Sequence, residues 1–189
     1  CLVGSEMCIR DSYRREGFPL LARSATIFKW TLYTLAGLVW AVVQAAFLQR
    51  VTIWGVIPFL YPLIAALPAI FEGPAAGTVY ALACGVFCDL LLPSPIPCFY
   101  TLILPLVGLA AGLLSQSLIP AGYLCSAAAA LPAYLLTGIF HCIVLWAQGH
   151  PAWGAAMSVT LRELCASLLW SLPMTWLFRR VYLRVHVDD

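Results

Sequence analysis

A chain of 189 residues that is 63% hydrophobic and only 10% charged, with a net charge of +2 and a mean hydropathy of +0.94, is far from a water-soluble domain, in which about a quarter of the residues are charged. The composition predicts an all-α, polytopic integral membrane protein. The small positive balance sits on the flanks of apolar stretches, which fits contact with lipid headgroups rather than with nucleic acid.

The first twelve residues, CLVGSEMCIRDS, have no sustained apolar region and no small-residue cleavage site, so they fit neither a signal peptide nor a helix. They resemble a translated sequencing-adapter read-through. Residues 1–12 are therefore set aside as a non-native segment, and the native chain is expected to begin near or before Tyr13. Residues 13–27 form a basic flank. At about 20 residues per span, the apolar stretches between charges, Pro and Gly then give about six transmembrane helices. They lie at 28–48, 52–71, 74–92, 98–119, 122–147 and 161–178, with a tail over 179–189. The membrane domain 28–178 leaves no soluble catalytic domain within these residues. Pro58, Pro62 and Pro68 interrupt the second span and Pro173 bends the sixth; prolines are tolerated in membrane helices whose neighbours satisfy the freed carbonyls.

Basic residues set orientation, because cytoplasmic flanks carry an excess of them. Arg10, Arg14, Arg15, Arg23 and Lys29 precede or open the first span, and Arg179, Arg180 and Arg184 follow the last. Both ends are thus expected on the cytoplasmic side of a bacterial membrane, with Arg50 and Arg162 outside. Glu72, in the turn FEGP, is expected at the N-terminus of the third helix, where an acid is favourable.

The third span carries Gly73, Gly77, Ala81 and Gly85 at a four-residue stride and then, on the same stride, Asp89. Such a stripe lies along one side of a helix and lets a second backbone approach closely. The fourth span answers it with Gly108 and Gly112, after the connection LPSPIPC, whose prolines end one helix and turn the chain back antiparallel. Asp89, near the outer end of its span, is expected to accept hydrogen bonds from an adjacent helix or to cap that turn; the sharper alternative is a proton or cation site.

Other chemically active residues have plain readings. Cys84 and Cys88 share a helix face but lack a neighbouring His cluster, and cysteine in such a helix serves as a small apolar residue. His141, beside Cys142 in the fifth span, is expected to make a neutral interhelical hydrogen bond. Arg162 and Glu163 are expected at the outer surface as an interfacial ion pair or as snorkelling side chains. His150 falls in an outer loop, and Trp153 reads as an interfacial anchor. There is no nucleophile and base pair, no phosphate-cradling glycine loop and no HExxH, so no catalytic residue, metal site or cofactor is assigned.

Taken together, Gly55, Pro58, Leu60, the EGP at 72–74, Gly77, Gly85, the DLL of Asp89 to Leu91, the Pro-rich turn, Gly108 and Gly112 resemble the rod shape-determining protein MreD family over about residues 27–120. The family's GLxxDLL-like motif reads CGVFCDLL here, with Val86 where leucine is common, and Cys98 stands where a glycine often follows the turn. The resemblance implies a non-enzymatic subunit of the bacterial elongasome in the cytoplasmic membrane. Its partner would be the bitopic protein MreC, and through it MreB, RodA and a class B penicillin-binding protein. A second reading is the substrate-binding subunit of an energy-coupling-factor vitamin transporter, which docks its partner through AxxxA-spaced small residues such as Ala41 and Ala45.

Overall fold

The computed structural model describes residues 18–94, 96–117, 120–149 and 153–186. The set-aside segment 1–12 and His150 lie outside them. The described residues form six α-helices: α1 (Phe18–Ala46), α2 (Tyr61–Glu72), α3 (Pro74–Leu91), α4 (Phe99–Ser117), α5 (Tyr123–Ala147) and α6 (Trp153–His186). A short 3-10 turn, Leu48–Arg50, follows α1, and no strand occurs among the described residues beyond an isolated bridge between Ile53 and Val56. Four stretches, Thr26–Arg50, Pro74–Leu91, Phe99–Ser117 and Tyr123–Ala147, are long and apolar enough to cross a membrane. They lie where the sequence places the first, third, fourth and fifth spans, and their outward faces carry exposed apolar side chains such as Leu35, Val42, Val79, Leu90, Leu102 and Leu135, which fits a multi-pass membrane protein.

The second expected span is different. Helix occupies only the 12 residues of α2, about 18 Å of rise, and the chain from Val51 to Leu60 is not helical. Trp54 and Gly55 take successive positive φ values of 52° and 77° in a tight turn closed by Ile53 and Val56. Pro58 offers no amide to a helix, whereas Pro62 sits in the first turn of α2, where a missing N–H costs nothing. Every residue from Tyr61 to Ile70 is buried, because α2 is the central element: α1, α3, α4, α5 and α6 all pack against it. Its uniformly apolar sequence has no outward face to keep polar.

Non-helical backbone in an apolar interior must be satisfied by side chains. Gln44 of α1, 3% exposed, donates through Nε2 to the Pro58 carbonyl at 2.7 Å and accepts from the Leu60 amide at 3.1 Å. Tyr134 of α5 donates its hydroxyl to the Phe59 carbonyl, and the Phe59 amide donates to Ser167 Oγ of α6 at 3.3 Å. Three helices thus hold three consecutive residues.

The sixth helix also departs from expectation, running from Trp153 to His186 over 34 residues instead of 161–178. It is long, but it lacks an 18-residue window as apolar as those of the four helices above. It lies antiparallel to α1, since Tyr33 stacks on Phe178 with ring centroids 6.2 Å apart and Trp40 meets Trp170 edge-on at 6.4 Å. Lys29 therefore shares one end of the bundle with Arg179, Arg180 and Arg184, and Arg50 shares the other with Arg162.

Gln44→Leu leaves a carbonyl and an amide without partners in the core, at about 1–3 kcal/mol each. Tyr134→Phe removes a single bond. In equilibrium unfolding in mixed detergent micelles, Gln44→Leu is expected to lose more stability than Tyr134→Phe; equal values would mean that water or other groups satisfy residues 58–60.

Candidate helix-packing site

Gly73 is the entire link between α2 and α3. It takes φ +91° and ψ 170°, a region open essentially to glycine alone, while its amide still bonds the Ala69 carbonyl of α2 and its carbonyl accepts from Gly77 of α3. The chain folds back there so tightly that Ala69 and Gly77, four residues to either side, meet: a Cβ on Gly77 would overlap the Ala69 backbone and side chain. Pro74 follows as the first residue of α3, with no amide to leave unpaired.

The remaining small residues face α4. A Cβ on Gly85 would fall 2.7 Å from the Tyr100 carbonyl oxygen and 2.8 Å from Thr101 Cα. One on Gly108 would fall 2.8 Å from the Ala81 Cβ and 3.1 Å from the Gly77 carbonyl oxygen, and one on Gly112 would meet the Pro74 backbone. The order of contacts, Gly85 with Tyr100, Ala81 with Gly108 and Pro74 with Gly112, makes α3 and α4 an antiparallel hairpin. Gly73, Gly77, Ala81, Gly85, Gly108 and Gly112 therefore lie together, but they divide between two neighbours, since the bare side of Gly77 is turned to α2. At such positions close backbone approach replaces side-chain interlocking as the source of dispersion contact.

Asp89 closes the hairpin at its far end. Its Oδ1 accepts the Tyr100 amide at 3.0 Å, and its Oδ2 accepts the Thr101 amide at 2.8 Å and the Thr101 hydroxyl at 2.6 Å. Tyr100 and Thr101 are the second and third residues of α4, so Asp89 satisfies amides that an N-cap side chain normally takes. Cys98 fills the N-cap position, since its carbonyl accepts the first helical bond from Leu102, but a thiol is a poor acceptor. The carboxylate of the previous helix takes over that task and also places negative charge at the positive end of the α4 dipole. Cys98 has φ +60°, a left-handed conformation in which glycine is the unstrained residue.

Glu72 does stand just ahead of α3, but its carboxylate does not serve that helix's N-terminus. It is the last residue of α2, and its carboxylate turns to α1, where Oε2 pairs with Lys29 Nζ at 2.6 Å and Oε1 accepts the Tyr33 hydroxyl at 3.0 Å. The sharp bend at Gly73 aims it away from the start of α3. Sequence reasoning missed this tie and also Gln44, although each is a rare polar residue bordering or inside an apolar stretch.

Among the described residues, no three His, Cys, Asp or Glu side chains lie close enough to hold a metal ion. Cys84 and Cys88 are both free thiols on the face of α3 that also carries Tyr80 and lies near Tyr61 of α2. His141 and Phe99 meet in a T-shaped contact with ring centroids 5.4 Å apart, and His141 makes no interhelical hydrogen bond to a described residue. Arg162 and Glu163 do not pair. Because α6 begins at Trp153, Glu163 lies about 15 Å along it, level with the start of α4. There it lines a cavity of about 400 Å³ that His141 also lines, while Arg162 faces outward.

No protein-family model matches the chain, and no curated protein or solved structure matches it.

Two measurements check this site. Asn offers a single oxygen and sets an NH2 group against an amide donor, so Asp89→Asn should cost about 1–2 kcal/mol of hairpin stability. Asp89→Leu strands all three donors and should cost more; equal stability of both with the parent in detergent unfolding would remove the capping role. Cys98→Gly relieves the left-handed strain and should add up to about 1 kcal/mol, whereas Gly85→Leu should lose more than 1 kcal/mol, the scale of overpacked sites.

Proposed function

We propose that this chain is a non-enzymatic membrane subunit of the bacterial elongasome, an MreD-like protein that binds an MreC-like bitopic partner. Through that partner it would help to organise MreB, RodA and a class B penicillin-binding protein for lateral peptidoglycan synthesis and rod shape. The observation that supports this reading is the fate of the residues that resemble the MreD pattern. Gly73, Gly77, Gly85, Asp89, Gly108 and Gly112 all serve the α2–α3–α4 unit, as a pivot, a seam and a cap, and not a reaction centre. A rigid hairpin with an apolar outer surface is what a scaffold within the bilayer requires.

The proposed setting is the cytoplasmic membrane, with six crossings and both termini inside. The clustering of Lys29, Arg179, Arg180 and Arg184 at one end of the bundle supports it. In this topology α2 crosses together with the non-helical residues 57–60 that follow the turn at Trp54 and Gly55, which lengthen the short helix.

The cavity of about 400 Å³ beside Glu163 favours the second reading, a vitamin-binding transporter subunit, and the experiment separates the two. In a native rod-shaped host, depletion should give rounded cells, and purification should recover the MreC-like partner. Normal rods after clean deletion, with tight vitamin binding by the purified protein, would transfer the assignment to the transporter class. Topology is checked on a cysteine-free background, where Gln148→Cys should be labelled from outside and Arg184→Cys should be protected.

A further inference from the structure

A cavity between α4, α5 and α6 is not accounted for by the packing of α3 on α4. Its walls are Phe59, Phe99, Tyr100 and Tyr134, with His141 on α5 and Glu163 on α6. Tyr134 is anchored through its hydroxyl, which donates to the Phe59 carbonyl, and the backbone of Phe59 is held by that bond and by Ser167, which accepts its amide. Phe59 and Tyr100 lie with ring centroids 6.0 Å apart, and Phe99 and Tyr100 meet edge-on at 5.2 Å. The aromatic wall is therefore ordered before anything binds, which lowers the entropic cost of binding.

Glu163 gives the wall its sign. Its carboxylate accepts no hydrogen bond and makes no ion pair among the described residues; the ion pair found there joins Lys29 and Glu72 at the other end of the bundle. No Lys or Arg lines the cavity. A half-buried acid in a membrane protein is held where a cation or water compensates it, and ring faces attract cations through their quadrupoles. One carboxylate beside the Phe59 and Tyr100 rings, with no Lys or Arg on the wall, is complementary to a nitrogen cation and repels an anion.

We propose that this cavity binds a cationic nitrogen group, ammonium or guanidinium, with Glu163 as counter-ion and the rings of Phe59 and Tyr100 at its wall, backed by the buried Phe99 and Tyr134. The group can come from a free organic cation or from a basic side chain of another protein segment. The site goes beyond the elongasome reading, since none of Gly73, Gly77, Ala81, Gly85, Asp89, Gly108 and Gly112 lines it.

The test is calorimetric titration of the purified full chain in dodecyl maltoside, a detergent without charge. Benzyltrimethylammonium and acetyl-argininamide represent the two sources, and neopentylbenzene is the neutral isostere of the first. At least one cation should bind, with neopentylbenzene weaker by about tenfold or more. Glu163→Gln should weaken the cation by a similar factor with its thermal midpoint unchanged. Tighter binding of benzyltrimethylammonium assigns the site to a free organic cation, and tighter binding of acetyl-argininamide assigns it to a protein side chain. Should Glu163→Gln fail to fold, Ala156→Phe fills the cavity from α6 and should abolish binding. No binding of either cation, equal binding of the neutral isostere, or full affinity in a folded Glu163→Gln or Ala156→Phe variant overturns the proposal.

Discussion

A backbone that leaves helical geometry inside an apolar core must find a partner for each freed amide and carbonyl, and residues 58–60 find theirs on three different helices. Gln44, Tyr134 and Ser167 come from α1, α5 and α6, so these helices are placed by a common obligation. The central helix α2 begins where that obligation ends. Wrapped on all sides by the other helices, it gives each of them an apolar surface to pack on. If the polar brackets fail, the fold loses its centre as well as four hydrogen bonds.

The α2–α3–α4 unit is organised differently, by the absence of side chains. Gly73 permits the bend, Gly77 lets α3 lie on α2, and Gly85, Gly108 and Gly112 let α3 and α4 touch backbone to backbone. Dispersion between close backbones has no directional preference along the axis, so a seam of this kind leaves sliding weakly opposed. Asp89 supplies the missing register. Its two oxygens are committed to two adjacent amides of α4, and a shift of one residue would break both bonds.

Much of this hairpin was legible in the sequence, because a four-residue stride of small residues and a Pro-rich turn are local signals. The stride shows which residues share a face, yet it carries no information on which neighbour that face meets, and Gly77 turned out to face α2. The broken second span was less legible. Its prolines were visible, but hydropathy averages over side chains and does not register where backbone hydrogen bonds are lost. Glu72 was read by its position before a helix, whereas the bend at Gly73 sets its direction. Glu163 was placed at the surface because α6 was expected to start at 161; eight more helical residues before it move it to the cavity wall. That extension begins at Trp153 and runs through a small-residue stretch, and it reaches α5 where Thr160 meets Gly138.

The unequal helix lengths bear on the lipid as well. With 18 and 19 residues, α3 and α4 rise about 27 and 28 Å, slightly less than the hydrocarbon thickness of about 30 Å. Neither has slack for tilt, so the bilayer beside the hairpin is drawn thin. The 25 residues of α5 rise about 37 Å and must lean or project beyond it. Annular lipid is thereby held at different heights on two sides of one small protein. A neighbouring protein with a short crossing meets less elastic resistance against α3 and α4 than anywhere else on the perimeter, whatever its side chains.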